Sequence, residues 1–477
     1  MTKALHTSGM WRFFCAIDQR THYFLSLWNN YSIERKNADK EEYMYSLGII
    51  NGEVYIDGSF VKKNLYIENE KIIAMTDTLE ECDKEIDAGG LKVLPGFIDP
   101  HVHFALGVGE NVSKDDFVQG SKEAALGGVT TFIDFLDPVK KAEEIDYEFH
   151  KRNKMAQGAV VDWAFHTTIA NPVSEPVEIF EESIKKGINS IKLFTTYADT
   201  DRRTYEEDIY KLLEASKGCG GLVLVHAEKD ELVNKSKEIP VRDHCDARPV
   251  ACELEEVMEL ASMAKATDGN LYIVHTNCGS TVMAIKHEYG AQLAHGNVIL
   301  ESCPHYFLLN ADKLSEADGY KYTMTPPLRP EKERQLLVEN IDAITTIGTD
   351  HCPYLKEQKN HKFTSEIPMG IGGIRYSFLA MYGMYGFHIV DKFTSGPASV
   401  YGLESKGALK EGMDADVVLF NENASTKVND EMSVYHGNVF AGSIDMVIAR
   451  GTVVNDHGKL MEHKGKYISR KRIGTKA

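Results

Sequence analysis

No two of the chain's eight cysteines stand as a Cys-x-x-Cys pair, which argues against a zinc ribbon or a dithiol redox centre. Cys15, Cys82, Cys219, Cys245, Cys252, Cys278, Cys303 and Cys352 are scattered over 477 residues, the usage expected of a reduced, cytoplasmic protein. No apolar run approaches the ~20 residues that cross a bilayer. The aromatic N-terminus is broken by Asp18, Arg20 and His22 and makes a poor signal peptide. Positive charge is short as well: 53 Lys and Arg against 71 Asp and Glu leave a formal net charge of −18. That balance speaks against a nucleic-acid or anionic-membrane partner, since both need clustered Lys and Arg.

What is present is ordinary for a soluble globular protein, 43% hydrophobic and 26% charged, and long enough for one large domain plus a smaller one. Residues 1–44 lack clean periodicity and read as an extension of unknown role. From Tyr45 short β-branched runs alternate with turn signals, Asn51-Gly52 and Asp57-Gly58 among them, each a hairpin candidate. A matching pattern returns after residue 405, around Asp416–Phe420 and Asp445–Ala449. Neither half has enough strands to bury a face alone, so the economical reading is one small β-sandwich domain, residues 45–94 with 405–477, assembled from both chain ends.

The centre, residues 95–404, alternates strand and helix. Candidate strands are 93–98, 130–135, 163–169, 190–194, 222–226, 271–275, 298–301 and 344–348. Helical stretches such as 115–126, 205–215, 253–266 and 279–289 lie between them. The first ends at Gly127-Gly128, and Ser113 with Asp116 resembles a capping box at its start. About eight apolar strands, each followed by a helix, predict an α/β fold of the (β/α)8 TIM-barrel type. An open doubly wound sheet is the runner-up, but no Gly-x-Gly-x-x-Gly follows the first strand.

Catalytic groups of such a barrel sit at the C-terminal ends of its strands. Here those ends read His101 and His103, Lys192, His226, His275 and Asp350. Each alone has a dull explanation, a snorkelling lysine or a hydrogen-bonded core histidine; six in barrel order are hard to assign to chance. Four imidazoles and a carboxylate suit two divalent cations such as zinc, and two cations ~3.5–4 Å apart need an anionic bridge. An ammonium cannot supply it. A lysine whose amine has reacted with carbon dioxide can, because the carbamate carries two oxygens and a negative charge.

Several motifs then carry a resemblance: Pro-Gly-Phe-Ile-Asp-Pro-His-Val-His ending at His103, Ile-Lys-Leu-Phe-Thr-Thr-Tyr (191–197), Val-His-Ala-Glu (225–228), Ile-Val-His (273–275), Glu-Ser-Cys-Pro-His-Tyr (301–306), Pro-Pro-Leu-Arg (326–329) and Gly-Thr-Asp-His-Cys-Pro (348–353). Over roughly residues 46–470 the chain resembles the amidohydrolase superfamily, and within it the cyclic amidohydrolases of the dihydropyrimidinase and hydantoinase type, with allantoinase and dihydroorotase as relatives. The tail Lys464-Gly465-Lys466-Tyr467 resembles that of hydantoinases.

The resemblance implies that His101, His103 and Asp350 hold one metal, His226 and His275 the other, and carboxylated Lys192 bridges them. It implies Asp350 as proton shuttle and Tyr197 as the group that polarises the substrate carbonyl. Thr325 stands where the family has a substrate-binding serine. Met369 takes the place of an asparagine whose contact is through backbone. A small cyclic amide or ureide substrate and a homotetramer are further implications. Ala105 occupies the position where dihydroorotase places an arginine for the substrate carboxylate, which sets that reaction low. Allantoinase stays open on Glu-Ser-Cys-Pro-His-Tyr, against the hydantoinase-like Phe194-Thr195-Thr196-Tyr197. Non-enzymatic relatives have lost metal ligands; this chain keeps all six. His166, His305 and His351 are expected to be structural or supporting, and Cys278, Cys303 and Cys352 small buried packing.

Overall fold

The computed structural model describes residues 44–473, so all but the last residue of the expected extension lies outside the described residues. The small β unit is one mixed sheet of nine strands drawn from both ends of the chain. Leu47–Ile56 and Ser59–Glu68 pair as a hairpin across Asp57 and Gly58, both at positive φ, the backbone that a two-residue turn of right-handed twist requires. Asn51-Gly52 is not a turn. Asn51 sits at φ 61° inside Leu47–Ile56, where the register slips between Ile49 and Gly52: the left-handed residue forms a bulge within one strand, and its N–H is taken by the Asn64 side chain. Strand Lys92–Pro95 runs parallel to Leu47–Ile56 and antiparallel to Val417–Lys427, joining the two chain ends edge to edge. Ile49, Val54, Leu65, Val93, Val417 and Ile448 share one core, distinct from that of the barrel.

Eight parallel strands form the barrel sheet, here β1 (Phe97–Asp99), β2 (Val129–Phe135), β3 (Asp162–Thr168), β4 (Ser190–Phe194), β5 (Leu222–His226), β6 (Leu271–Ile273), β7 (Val298–Ser302) and β8 (Thr346–Ile347). The open-sheet alternative is thereby set aside. Past the ends of β8 and β1, His351 and Val102 bridge in parallel and the His103 N–H donates to the His351 carbonyl, so the first and last strands meet. The single strand expected over 93–98 is two: the chain leaves the small sheet at Pro95 and enters the barrel at Phe97. A Cβ on Gly96 would lie 2.2 Å from Thr130 Oγ1 and 2.8 Å from Asp416 Cβ, so the crossing between sheets closes only over glycine.

Alternation along each strand places the site. Ile191, Leu193, Val223 and Val225 pack outward in the barrel–helix layer. Ile98, Ile133, Ala164, Leu224, Tyr272 and Ile299, from six different strands, meet in a second cluster that only the barrel interior can assemble. Lys192 and His226 follow the inward register of their strands, one layer above that packing. The first long helix, Phe117–Leu126, is capped by Asp116, whose side chain accepts from the Gln119 N–H. The expected cap Ser113 instead accepts from the Leu106 N–H, which leaves the helix end to the nearer carboxylate.

Candidate active site

A cavity of about 590 Å³ opens above the C-terminal ends of the strands. All nine residues singled out in the sequence line it: His101, His103, Lys192, Tyr197, His226, His275, Thr325, Asp350 and Met369. Ala105, Tyr197, His275 and Asp350 are also at positive φ, four of the thirteen non-glycine residues in that region among those described. Strain of this kind persists only where the surroundings over-determine it, and here it gathers in one cavity.

His101 and His103 lie beyond the end of β1, with Val102 between them fully buried. Their Nε2 atoms approach to 3.3 Å and lie 3.3 and 3.2 Å from Asp350 Oδ1. These three ligand atoms could hold one cation. Asp99 aligns the two strands that carry them. Its carboxylate accepts from the His101 and Thr349 N–H groups at 3.2 and 3.1 Å and from the Thr349 hydroxyl at 2.5 Å. Burial pushes the Asp99 carboxyl up to about 6 despite those donors. Asp134 accepts from the Phe104 N–H and from Arg152, fixing the segment that follows His103.

On the opposite wall His226 Nδ1 and His275 Nε2 stand 3.0 Å apart. The other nitrogen of His226 donates to Glu228 at 2.7 Å, and Arg248 holds Glu228 through Nε and Nη2 at 2.9 and 2.6 Å. Burial would raise the Glu228 carboxyl, but Arg248 and His226 outweigh it and keep it far below the usual range. Burial lowers His103, His226 and, most strongly, His275, so their rings are neutral at pH 7 and present lone pairs. Lys192, 2% exposed, is pulled down to about 8 by burial, against the pull of Asp350 and Glu301. Burial also opposes ionisation of Asp350, yet the imidazoles of His101 and His103 hold it well below the carboxylate range.

Tyr197 packs 5.5 Å from the His226 ring. Burial raises its phenol pKa, against the charge of Arg248 and a hydrogen bond with Thr325, so the hydroxyl keeps its proton. The supporting residues sit as expected. His166 accepts from Ser190 and donates to the Pro100 carbonyl, and His351 is held by Asp115 and the Gly373 N–H. His305 is buried against Tyr306 with neither ring nitrogen bonded. Cys278, Cys303 and Cys352 are buried, and burial pushes their thiols up. Glu228, Asp99 and Glu301 are supporting groups not singled out in the sequence, although each lies inside one of the motifs quoted above. The signal is a carboxylate two residues from a cavity histidine, at Asp99 and at Glu228.

A (β/α)8 barrel with four histidines, a lysine and an aspartate gathered at its strand ends is an architecture that metal-dependent hydrolases use. The chain belongs to the amidohydrolase family, whose model matches residues 92–454. It is 31% identical over 467 residues to a D-hydantoinase of Geobacillus stearothermophilus, covering 90% of this chain and 97% of that one. It is 29% identical to a D-phenylhydantoinase of Escherichia coli over 89% of this chain and 98% of the relative. A solved structure of dihydropyrimidinase from Brevibacillus agri superimposes with a TM-score of 0.83 at 28% identity, over 90% of this chain and 99% of that one.

Proposed function

We propose that the protein hydrolyses the ring amide of a hydantoin- or dihydropyrimidine-like substrate, giving the ring-opened N-carbamoyl acid. The observation that carries this reading is the convergence of six ligand-type side chains and Tyr197 in one cavity, in a chain that matches hydantoinases along nearly its whole length.

The donor set fits two divalent cations, zinc first among them: neutral imidazoles and a carboxylate, with His101 and His226 each anchored by a carboxylate on the opposite ring nitrogen. His101, His103 and Asp350 would hold one, His226 and His275 the other, with Lys192 shared. When bound, such cations polarise the ring carbonyl and bring the pKa of a coordinated water toward neutrality.

The chain's own groups do the rest. With its pKa pulled to about 8, the Lys192 amine reaches its neutral form readily; it adds to carbon dioxide, releases a proton and becomes an anionic carbamate. Ionised Asp350 accepts the proton of the attacking water at its carboxylate and returns it to the ring nitrogen as the carbon–nitrogen bond breaks. Tyr197 donates its retained proton in a hydrogen bond to the carbonyl oxygen as negative charge builds there. Thr325 and the backbone at Met369 orient the ring, and Phe135 and Phe194 exclude water. No described helix is long and apolar enough to cross a membrane; a cytoplasmic homotetramer completes the reading, and light scattering measures its assembly.

A panel of dihydrouracil, hydantoin, allantoin and dihydroorotate tests the assignment. Opening of hydantoin or dihydrouracil is expected, by protein carrying close to two divalent ions per chain. Turnover of dihydroorotate alone, or full activity in metal-free protein, would overturn it.

A further inference from the structure

The cavity is larger than a bare ring requires. At about 590 Å³ it falls among sites that enclose drug-sized ligands, about 300–1,000 Å³, so a five- or six-membered ring leaves room for a substituent. Leu106, Val108, Leu136 and Met155 supply an apolar wall for it.

The cations on that wall are not equivalent. Lys151 is paired with Asp137 at 2.5 Å and Glu148 at 3.0 Å, and Arg152 is buried on Asp134 at 2.5 Å. Arg203, next in the chain, is engaged by Glu206 and Glu231 at 2.8 and 2.6 Å. The neighbouring carboxylate of Asp201 is turned to Lys140 and Asn171. Arg202 lines the cavity and, among the described residues, its guanidinium has no carboxylate partner and no side-chain hydrogen bond. Arg202 is half-buried there, in the stretch that follows Tyr197. A guanidinium offers a planar fork of donors matched to a carboxylate. A substrate that brings its own carboxylate supplies the partner that the protein withholds; a neutral alkyl substituent leaves that fork unmatched.

We propose that Arg202 is a specificity-determining residue that selects cyclic ureides bearing a carboxylate at the end of a short apolar arm. The ring-opened product is then the N-carbamoyl derivative of an acidic amino acid. This rests on the cyclic-amide reading above and adds the substrate class to it.

The test compares 5-(2-carboxyethyl)hydantoin with the equally long, neutral 5-(2-carbamoylethyl)hydantoin, with plain hydantoin as reference. In the wild type, kcat/KM is expected to favour the carboxylate by about 10- to 100-fold, through KM, the value of a hydrogen bond to a charged group. Arg202→Met should collapse that ratio and Arg202→Lys should retain part of it. An absent preference in the wild type, or a ratio unmoved by Arg202→Met, overturns the proposal while hydantoin turnover leaves the underlying reading intact. Failure to open any of the three rings and dihydrouracil as well overturns the underlying reading instead.

Discussion

Oε1 of Glu301 lies 2.7 Å from Nδ1 of His101, on the far side of that ring from Asp350. The same oxygen accepts from the His275 N–H at 3.0 Å, and Tyr272 donates to the other carboxylate oxygen at 2.6 Å. One buried carboxylate therefore sets the tautomer of His101, leaving its Nε2 lone pair toward His103, and orients the backbone that carries His275. Glu301→Gln, which keeps the size and removes the charge, should weaken metal retention about 10- to 100-fold. Competition with a chelator measures it, and an unchanged affinity would remove Glu301 from the supporting set.

Lys192→Ala should reduce turnover by about a thousandfold or more, the scale expected when a centre loses a shared ligand. Short carboxylic acids that can enter the vacated space should restore part of it. Metal analysis separates the two explanations of a loss: fewer than two ions per chain supports a bridging role, and unchanged turnover removes the carbamate from the mechanism.

Lys406 bridges the two parts of the fold. Its ammonium meets Asp162 of β3 at 2.6 Å and Asp416, beside the small sheet, at 2.7 Å, with Asp414 at 3.2 Å. The three carboxylates form an acidic cluster already met by this lysine, at Asp162 by Arg450 at 3.0 Å, and at Asp414 by Lys71 at 2.6 Å. Lys406→Met strands buried charge and should cost about 3–5 kcal/mol of stability. Urea unfolding reads the loss; a shift under ~1 kcal/mol would mean the cluster is hydrated or protonated instead.

Lys359 gives a pH signature. It is 2% exposed and donates to the carbonyls of Thr323 and Gly370 at 2.7 and 2.6 Å. Burial lowers its pKa to about 7. Between that value and the ordinary lysine range near 10.5 the unfolded chain binds the extra proton, so this group makes the fold more stable as pH rises through the window. Lys359→Met removes the dependence. The stability of wild type over variant should therefore widen from pH 7 to 10 by on the order of a few kcal/mol. A constant gap would show that the amine keeps its charge in the fold.

The barrel was legible because five of its strands, β1, β4, β5, β6 and β8, are apolar runs that carry an ionisable residue at or near the end, and burial on both faces writes that pattern directly into the sequence. Strands 190–194 and 222–226 coincide with their predicted limits for this reason. Asn51-Gly52 misled because a left-handed residue serves a bulge as well as a turn, and only pairing partners far along the chain decide between them. The break at Gly96 was hidden for the same reason: Val93 to Ile98 is uniformly apolar, and which sheet each half joins is set by Thr130 and Asp416. Glu228, Glu301 and Asp99 escaped because their role is to hold other groups. That role exists only after Arg248, His101 and Thr349 have been brought to them.

The small sheet's closing strand has a consequence for synthesis. Lys92–Pro95 emerges early, but its antiparallel neighbour Val417–Lys427 is made more than 300 residues later. Every barrel strand leaves the ribosome before that partner exists. The His101–His103 corner begins six residues downstream of Pro95 and so hangs from a strand that waits, half-paired, for the end of translation. A chain truncated after the barrel would present that edge as a template for a second nascent copy, which makes early termination a route to aggregation rather than to a smaller working enzyme.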